Sequence, residues 1–539
     1  MRIRILIALA WLMTGWLTAA QFIDGVLYLE VNLAAGNTLN LRNGGHLTFA
    51  ELDSPVSNGI SGDLAITVAQ KDVQQFWGII NRIEPVAREV DIDPDSDVIR
   101  RTLFWHNGKL LIRLERLVFE DVSFPALEEA KRYASQTGTP EVNICLIPLN
   151  HPRIRVTNRS GKEQYYELPV RLSSDKALNI NDQNEGYAGD LIIRFADNRL
   201  IINHYLSLED YVAGVIQHEI GGGAPLEALK VQSVATRTHA ISMLLYNRHR
   251  DDGFDLCNTT HCQVYKGVYL QNANVLEAVR ATGNIVMNHG NRVADAVYHS
   301  ICGGKTDVSN VIWRGSPVDY LQGVTCMEEA EDYDLNSEAG VRQWINLRLE
   351  PPGMASWEKK NMNWSRSVSR RALQQNSGVS NITSIVINRR GVSGRIVSLT
   401  INGSSSKTYI SEWQIRQTFG NLPSSLFYIV GNFTSNGNGA VVIRPGTYIT
   451  MRGRGYGHGV GMCQVGTLNK AREGWLWEDI LHFYYPGVEL TDHWNMPDLP
   501  LPGMPGQSDP AGDLDGGLLP PGIFIGDSMI RDMTDVDVR

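Results

Sequence analysis

A carboxylate, an arginine, a glycine-framed histidine and a cysteine–histidine cluster are the side chains of this 539-residue sequence whose types and spacing suit chemistry. Glu219 closes the segment LEDYVAGVIQHEI, in which Leu208, Tyr211, Val212, Val215 and Ile216 recur at helical spacing and Glu219 continues their stripe by one more turn. Partial burial and the negative end of a helix dipole both disfavour a charged carboxylate there, which suits a general acid. A glutamate curling out to solvent at a frayed helix end is the competing reading. Gly221, Gly222 and Gly223 follow and leave open backbone for a bulky ligand.

Arg237 lies in PLEALKVQSVATRTHAISMLLYN, predicted to be a helix starting near Ala224 with Pro225 in its first turn. Leu226, Ser233, Arg237, Ala240 and Leu244 share one face, so the guanidinium is embedded among apolar and small residues. It needs a partner: a carboxylate that locks two helices, or an anionic group of a ligand.

His458 stands among Gly453, Gly455, Gly457, Gly459, Gly461 and Gly466, a set that predicts a rim where a ligand meets the main chain; a glycine-rich hairpin with an incidental histidine is the alternative. NRVADAVYHSICGGKT reads as a strand entering a glycine turn. Its alternation sends Tyr298 and His299 to opposite faces, and Tyr298 is the candidate for a cleft, with Lys305 beyond the turn as the second. Both are ordinary core and surface residues otherwise. In CNTTHC, Cys257, His261 and Cys262 offer three zinc ligands, with a fourth from His249 or His239, or the two cysteines form a local disulfide. Either arrangement is structural, tying the loop after the helix of Arg237. Cys463 lacks an acyl-transfer signature despite its neighbour His458.

The elements that must position these groups come in mixed order, which predicts an α+β fold. Residues 21–190 alternate short apolar runs with turn signals and contain one helical pattern, FPALEEAKRYASQTG, so they read as a separate, smaller α+β region. From 191 to 495, strand-like segments such as DLIIRFADNRLIINHYLSL, SNITSIVINR, GRIVSLTING and YIVGNFT mix with helices, including the short ISEWQIRQTF. Residues 496–539 are rich in Pro, Gly and Asp and cannot bury a core, which predicts a disordered tail.

The segments LEDYVAGVIQHEI, APLEALKVQSVATRTHA, CNTTHCQVYKG, AVYHSICGGKT, VDYLQGV and GHGVGMCQ, in this order, resemble the SpoIID family of bacterial cell-wall proteins. The similarity covers roughly residues 200–490. That family contains peptidoglycan lytic transglycosylases of the sporulation machinery and amidase enhancers. The resemblance implies mixed β-sheets with helices, glycan strands of peptidoglycan as the partner, and a cell-wall amidase as a further partner. It puts Glu219 on the catalytic acid and Arg237 on an active-site arginine; by position and side-chain type, Tyr298, Lys305 and His458 are the candidates for substrate binding. Where family members often have Met-Pro after the glutamate, Ile220 and a glycine run stand here. The implied reaction breaks the MurNAc-β-1,4-GlcNAc bond of peptide-free glycan and leaves a 1,6-anhydro end. It needs one glutamate and no cofactor, whereas ordinary glycosidases need two carboxylates. A non-catalytic amidase enhancer is the alternative.

The net charge of −9 argues against nucleic acid, which would want a basic face. Residues 1–20 place Arg2 and Arg4 before an apolar run ending in small residues, the pattern of an export signal; a retained anchor helix is the other reading and the one that implies a membrane. The expected location is the periplasm, cell envelope or exterior. Cys302 and Cys326 flank the CGGKT turn and the DYLQGVTC segment and are candidates for a disulfide closing a loop next to the candidate site, while Cys145 is expected as a small buried hydrophobe.

Overall fold

The computed structural model describes residues 21–492 apart from short internal stretches, of which 87–97 and 431–439 are the longest, and without side chains over most of 71–150. The expected export signal, the tail from Met496 and the side chain of Cys145 lie outside the described residues. No described helix is long and apolar enough to cross a membrane.

The architecture is α+β. It divides into two compact units: the first gathers mainly Met1–Gly222 and Thr236–Val293, the second Gly223–Ala235 and Ala294–Leu490. Residue 190, where the sequence texture changes, falls inside the strand Gly186–Ala196.

The first unit is built on a twelve-stranded sheet. Its spine runs Gln21–Ile23, Val26–Gly36, Arg199–Ser207, Gly186–Ala196, Val170–Ile180, Thr38–Arg42, Leu64–Gln70, Arg153–Asn158 and Glu163–Glu167, with neighbours antiparallel. One face carries Leu29, Val31 and Leu33 on one strand, Leu191 and Ile193 on another, and Leu200 and Ile202 on a third into the core, and the other face is covered as well, since Glu30, Ile192 and Ile201 are buried between them. A separate sheet joins Ile144–Pro148, Gln75–Val86, Lys109–Phe124 and Val98–His106. The predicted helix appears as Leu127–Thr137, burying Ala130 and Ala134, one turn apart.

One polar network inside this unit leads toward the site. Glu30 is 1% exposed, and its carboxylate takes both prongs of Arg194, at 2.8 and 2.5 Å, and the Asn203 amide at 2.7 Å. Its own N–H donates to Asp255 at 2.7 Å, and Asn203 also donates to the Gly253 carbonyl at 2.9 Å. A buried carboxylate is tolerable only when paired and hydrogen-bonded in this way. The network thereby fastens the segment from Gly253 to the strand Val26–Gly36, where Leu256–Cys257 pairs in parallel with Val31–Asn32.

In the second unit short strands surround two apolar clusters, one including Trp364, Ile385, Leu399, Phe427 and Met451, the other centred on Trp344. The expected strands appear as Ser384–Arg390, Ile396–Asn402 and Phe427–Val430, and the short helix as Glu412–Thr418. The continuous strand expected over NRVADAVYHSI does not form: only Arg292–Val293 and Tyr298–His299 are strand. Much of the later main chain there bonds instead to the glycine loop, as in the Ile301–Tyr456 pair at 3.0 and 2.8 Å and Met462 N–H to Val297 O at 3.2 Å.

His204 of the first unit is buried, donates from Nε2 to the Ala188 carbonyl at 3.0 Å and accepts the Tyr265 hydroxyl at Nδ1 at 2.7 Å. Burial pushes its pKa down to about 4. The unfolded chain therefore takes up this proton near pH 6.5 while the folded chain resists it, so stability is full above that pH and falls as pH drops toward 4. The expected loss from this residue over that window is about 3 kcal/mol. Urea unfolding at pH 7 and 4.5 checks it: His204→Gln should show a smaller acid-induced loss than wild type.

Candidate functional site

Glu219 sits on a local irregularity that periodicity could not anticipate. The α-helix Leu208–Ile216, capped by Ser207 whose hydroxyl accepts from the Asp210 N–H, passes into a π-helical turn, Gln217–Gly221. The wider turn takes Glu219 off the 3.6-residue stripe on which the sequence places it and leaves it half-buried. Its Oε1 accepts the Val264 N–H at 2.9 Å, which fixes the carboxylate against the loop that follows Cys262. Gly221 at the end of the turn and Gly223 after it have nothing within 4 Å of where a Cβ would stand, whereas Gly222 packs on the Asn272 amide, so the open backbone expected over the three glycines is present at two of them.

The loop that holds Glu219 is itself anchored. The Gln263 amide donates to the Tyr211 hydroxyl and to the Thr236 carbonyl, both at 3.3 Å. Tyr265 stacks on Tyr211 with centroids 5.4 Å apart, and Gly214 lies against the Tyr265 ring where any side chain would collide. Gln263, Val264 and Tyr265 are site-building residues that the sequence reading left without a role. The available signal was their place in CNTTHCQVYKG, directly after the metal-ligand pattern.

Arg237 is 0% exposed and gives its fork to Glu209: Nε to Oε1 at 2.7 Å and Nη2 to Oε2 at 2.6 Å, with Nη1 donating to the Ile285 carbonyl at 3.0 Å. Of the two partners the sequence allowed, the guanidinium has the protein carboxylate. Glu209 stands in the first turn of the helix that ends at the π turn of Glu219, so the pair locks the helix Leu226–Leu245 to that one.

Four side chains of the first unit converge on one point. His249, Cys257, His261 and Cys262 bring their ligand atoms within 4.8 Å of one another. His249, not His239, is the fourth member, and both cysteines are free thiols rather than a local disulfide. His249 Nε2 lies 3.1 Å from Cys262 Sγ, and Asp252 meets its other nitrogen at 2.7 Å, the orienting carboxylate usual for a ligating imidazole. The Cys262 thiol, and then His249 and His261, hold Cys257 far below the ordinary thiol range against the effect of burial. Two thiolates and two imidazoles make a donor set that fits a tetrahedral zinc ion.

The other candidates lie in the second unit. His458 donates from Nε2 to the Tyr298 carbonyl at 2.9 Å and accepts the Val460 N–H at Nδ1 at 3.1 Å, with Trp313 against its ring. Burial first, then His299, lowers its pKa well below the histidine range. Both nitrogens are thus committed to backbone in the neutral ring. Tyr298 is half-buried and His299 buried, on the two-residue strand paired with Met462–Cys463. Lys305 meets Glu331 at 3.1 Å. The glycines are a correction to the expected rim: a side chain at Gly461 would overlap the Val297 carbonyl, and one at Gly459 the Arg395 guanidinium. Gly466 lies in the helix Gln464–Arg472 against Tyr484. They are needed for close packing of the protein on itself. Cys302 and Cys326 come together, but as free thiols and with Cys463 as a third.

Residues 196–289 match the model of the family described as Stage II sporulation protein, and residues 307–461 match a domain of unknown function, DUF8618. An uncharacterized protein of Brachyspira hyodysenteriae is 31% identical over 310 residues, which cover 57% of this chain and 73% of that one. The Stage II sporulation protein D of Bacillus subtilis is 25% identical over 307 residues, 53% of this chain and 75% of that one. The chain belongs to the SpoIID family. A third relative, the amidase enhancer of Bacillus subtilis, is 29% identical over 305 residues, 52% of this chain and 40% of that protein. The SpoIID match contains Glu209, Glu219, Arg237 and the whole cysteine–histidine cluster; Tyr298 and Lys305 fall between the two matched segments, and His458 lies in the second.

Two outcomes are expected. Glu209→Ala leaves the Arg237 charge buried without its carboxylate and should destabilise the chain by about 3 kcal/mol in urea unfolding, at the low end for such pairs because Glu209 is 34% exposed. For the cluster, the purified chain should carry zinc, and Asp252→Asn should weaken it by roughly 10–100-fold in a chelator competition.

Proposed function

We propose that this SpoIID-family chain acts on the bacterial cell wall as a peptidoglycan lytic transglycosylase, with Glu219 as its single acid/base. The observation that carries the reading is the Glu219 carboxylate, half-buried on a π turn, fixed by the Val264 N–H and bordered by the open backbone of Gly221 and Gly223.

In this mechanism Glu219 gives its proton to the oxygen leaving from C1 of MurNAc, and that sugar's own C6 hydroxyl closes on C1. The hydroxyl proton passes to Glu219, which restores the acid and leaves a 1,6-anhydro end. No water enters, so no second carboxylate is needed to activate it, in contrast to hydrolytic glycosidases. Arg237 is a positioning residue, acting through Glu209 and the helix that carries the acid. Tyr298 and Lys305 bind substrate; the Lys305–Glu331 pair is exposed enough to exchange partners. His458 acts by fixing the Tyr298 backbone. No cofactor takes part in the reaction. Zinc at His249, Cys257, His261 and Cys262 is structural: it ties the loop whose next residues, Gln263 and Val264, hold the acid. Export by residues 1–20 brings the chain to its substrate.

The similarity to an amidase enhancer favours a second reading, a glycan-binding protein that stimulates a cell-wall amidase without cleaving. Mass spectrometry of peptide-free glycan strands incubated with the purified chain separates the two. Products ending in 1,6-anhydro-MurNAc, formed about 10²–10⁴-fold more slowly by Glu219→Gln, are expected. Reducing ends would mean hydrolysis, and intact strands that nevertheless bind would favour the enhancer.

A further inference from the structure

Cys302, Cys326 and Cys463 reach one point of the second unit from three separate segments, and their sulfurs lie within 4.8 Å of one another. All three are free thiols; Cys302 and Cys463 are 3% and 1% exposed, and Cys326 is half-buried. Backbone N–H groups point at two of the sulfurs, while Cys463 Sγ itself donates to the Ser300 carbonyl at 3.7 Å. Cys463 Sγ receives the N–H of Cys302 at 3.2 Å and that of Gly466 at 3.3 Å, and Cys302 Sγ receives the N–H of Gly304 at 3.3 Å. The Tyr484 hydroxyl stands 3.5 Å from Cys326 Sγ. Cys463 also caps the helix Gln464–Arg472, whose N-terminal end favours a thiolate. Arg395 is wholly buried, interacts electrostatically with Cys302 and Cys463, and keeps Nε and Nη2 without a hydrogen-bond partner.

We propose that Cys302, Cys326 and Cys463 form a tris-thiolate site for a single soft monovalent cation, Cu(I). A sulfur triangle of this size brackets an ion at metal–thiolate bond length, about 2.3 Å for zinc. Thiolates select Cu(I), zinc or iron–sulfur clusters among the common metals. Structural zinc takes four ligands, whereas this group offers three sulfurs and no fourth His, Cys, Asp or Glu among the described residues. A three-coordinate ion therefore matches it, and backbone N–H groups with the Arg395 charge compensate the excess negative charge. The site is distinct from the Cys257 cluster in residues and in donor set, and it depends on no reading of the reaction.

The test uses the full chain, reduced and kept without oxygen, saturated first with zinc and then titrated with Cu(I) against a chromogenic Cu(I) chelator. One Cu(I) per chain is expected, with X-ray absorption showing three sulfur neighbours and no nitrogen. Cys326→Ser, at the half-buried position, should lower the affinity by at least the roughly 10–100-fold that losing an outer-shell partner costs, while Cys257→Ser leaves Cu(I) binding unchanged. A mixed sulfur–nitrogen shell lost in Cys257→Ser would overturn the proposal. So would a disulfide between any two of the three cysteines in the chain as isolated, or Cu(I) binding that survives Cys326→Ser.

Discussion

The candidate site depends on one ion pair, that of the wholly buried Arg237 with Glu209. Arg237 has no exposed surface, so its charge must be compensated inside the protein, and Glu209 with the Ile285 carbonyl does so. Because Glu209 lies in the first turn of a nine-residue helix and Glu219 in the turn that ends it, fixing one end of a rigid element fixes the direction of the other. The bidentate geometry adds what a lysine could not: two parallel bonds define a plane and not only a distance.

The carboxylate end of that helix is held by a different set of constraints, and these form a chain. The Glu30, Arg194, Asn203 and Asp255 network fastens the segment from Gly253; the cysteine–histidine cluster closes the loop that follows; Gln263 and Val264 then bond to Tyr211, Thr236 and Glu219. Each step satisfies a polar group that would be costly to bury alone. Order at Glu219 is thereby paid for far from the reacting atoms, by residues that need never touch substrate.

In the second unit the same economy of space works through glycine. The loop GRGYGHGVG packs so closely on the segment 297–307 that a side chain at Gly455 or Gly461 would overlap its carbonyls, and one at Gly459 would overlap Arg395. His458 is enclosed in this packing as a neutral ring with both nitrogens on backbone, which makes it a strap between the loop and Tyr298. The close approach also carries Cys463 to Cys302.

The sequence by itself determined the α+β class, the helices at 208–216, 226–245 and 127–137, the family, and the residues worth watching, because periodicity and short-range spacing are written in adjacent positions. It also placed Cys257, His261 and Cys262 together, since they are near neighbours in the chain. What it left open were pairings across long separations. Glu209 as the partner of Arg237, His249 over His239, Val264 on Glu219 and the third thiol beside Cys302 and Cys326 are each one choice among several chemically equal residues. The π turn and the inward use of the glycines were hidden for a related reason: one extra residue in a turn, or room for a missing side chain, is set by what packs opposite, and that is decided only when the tertiary structure forms.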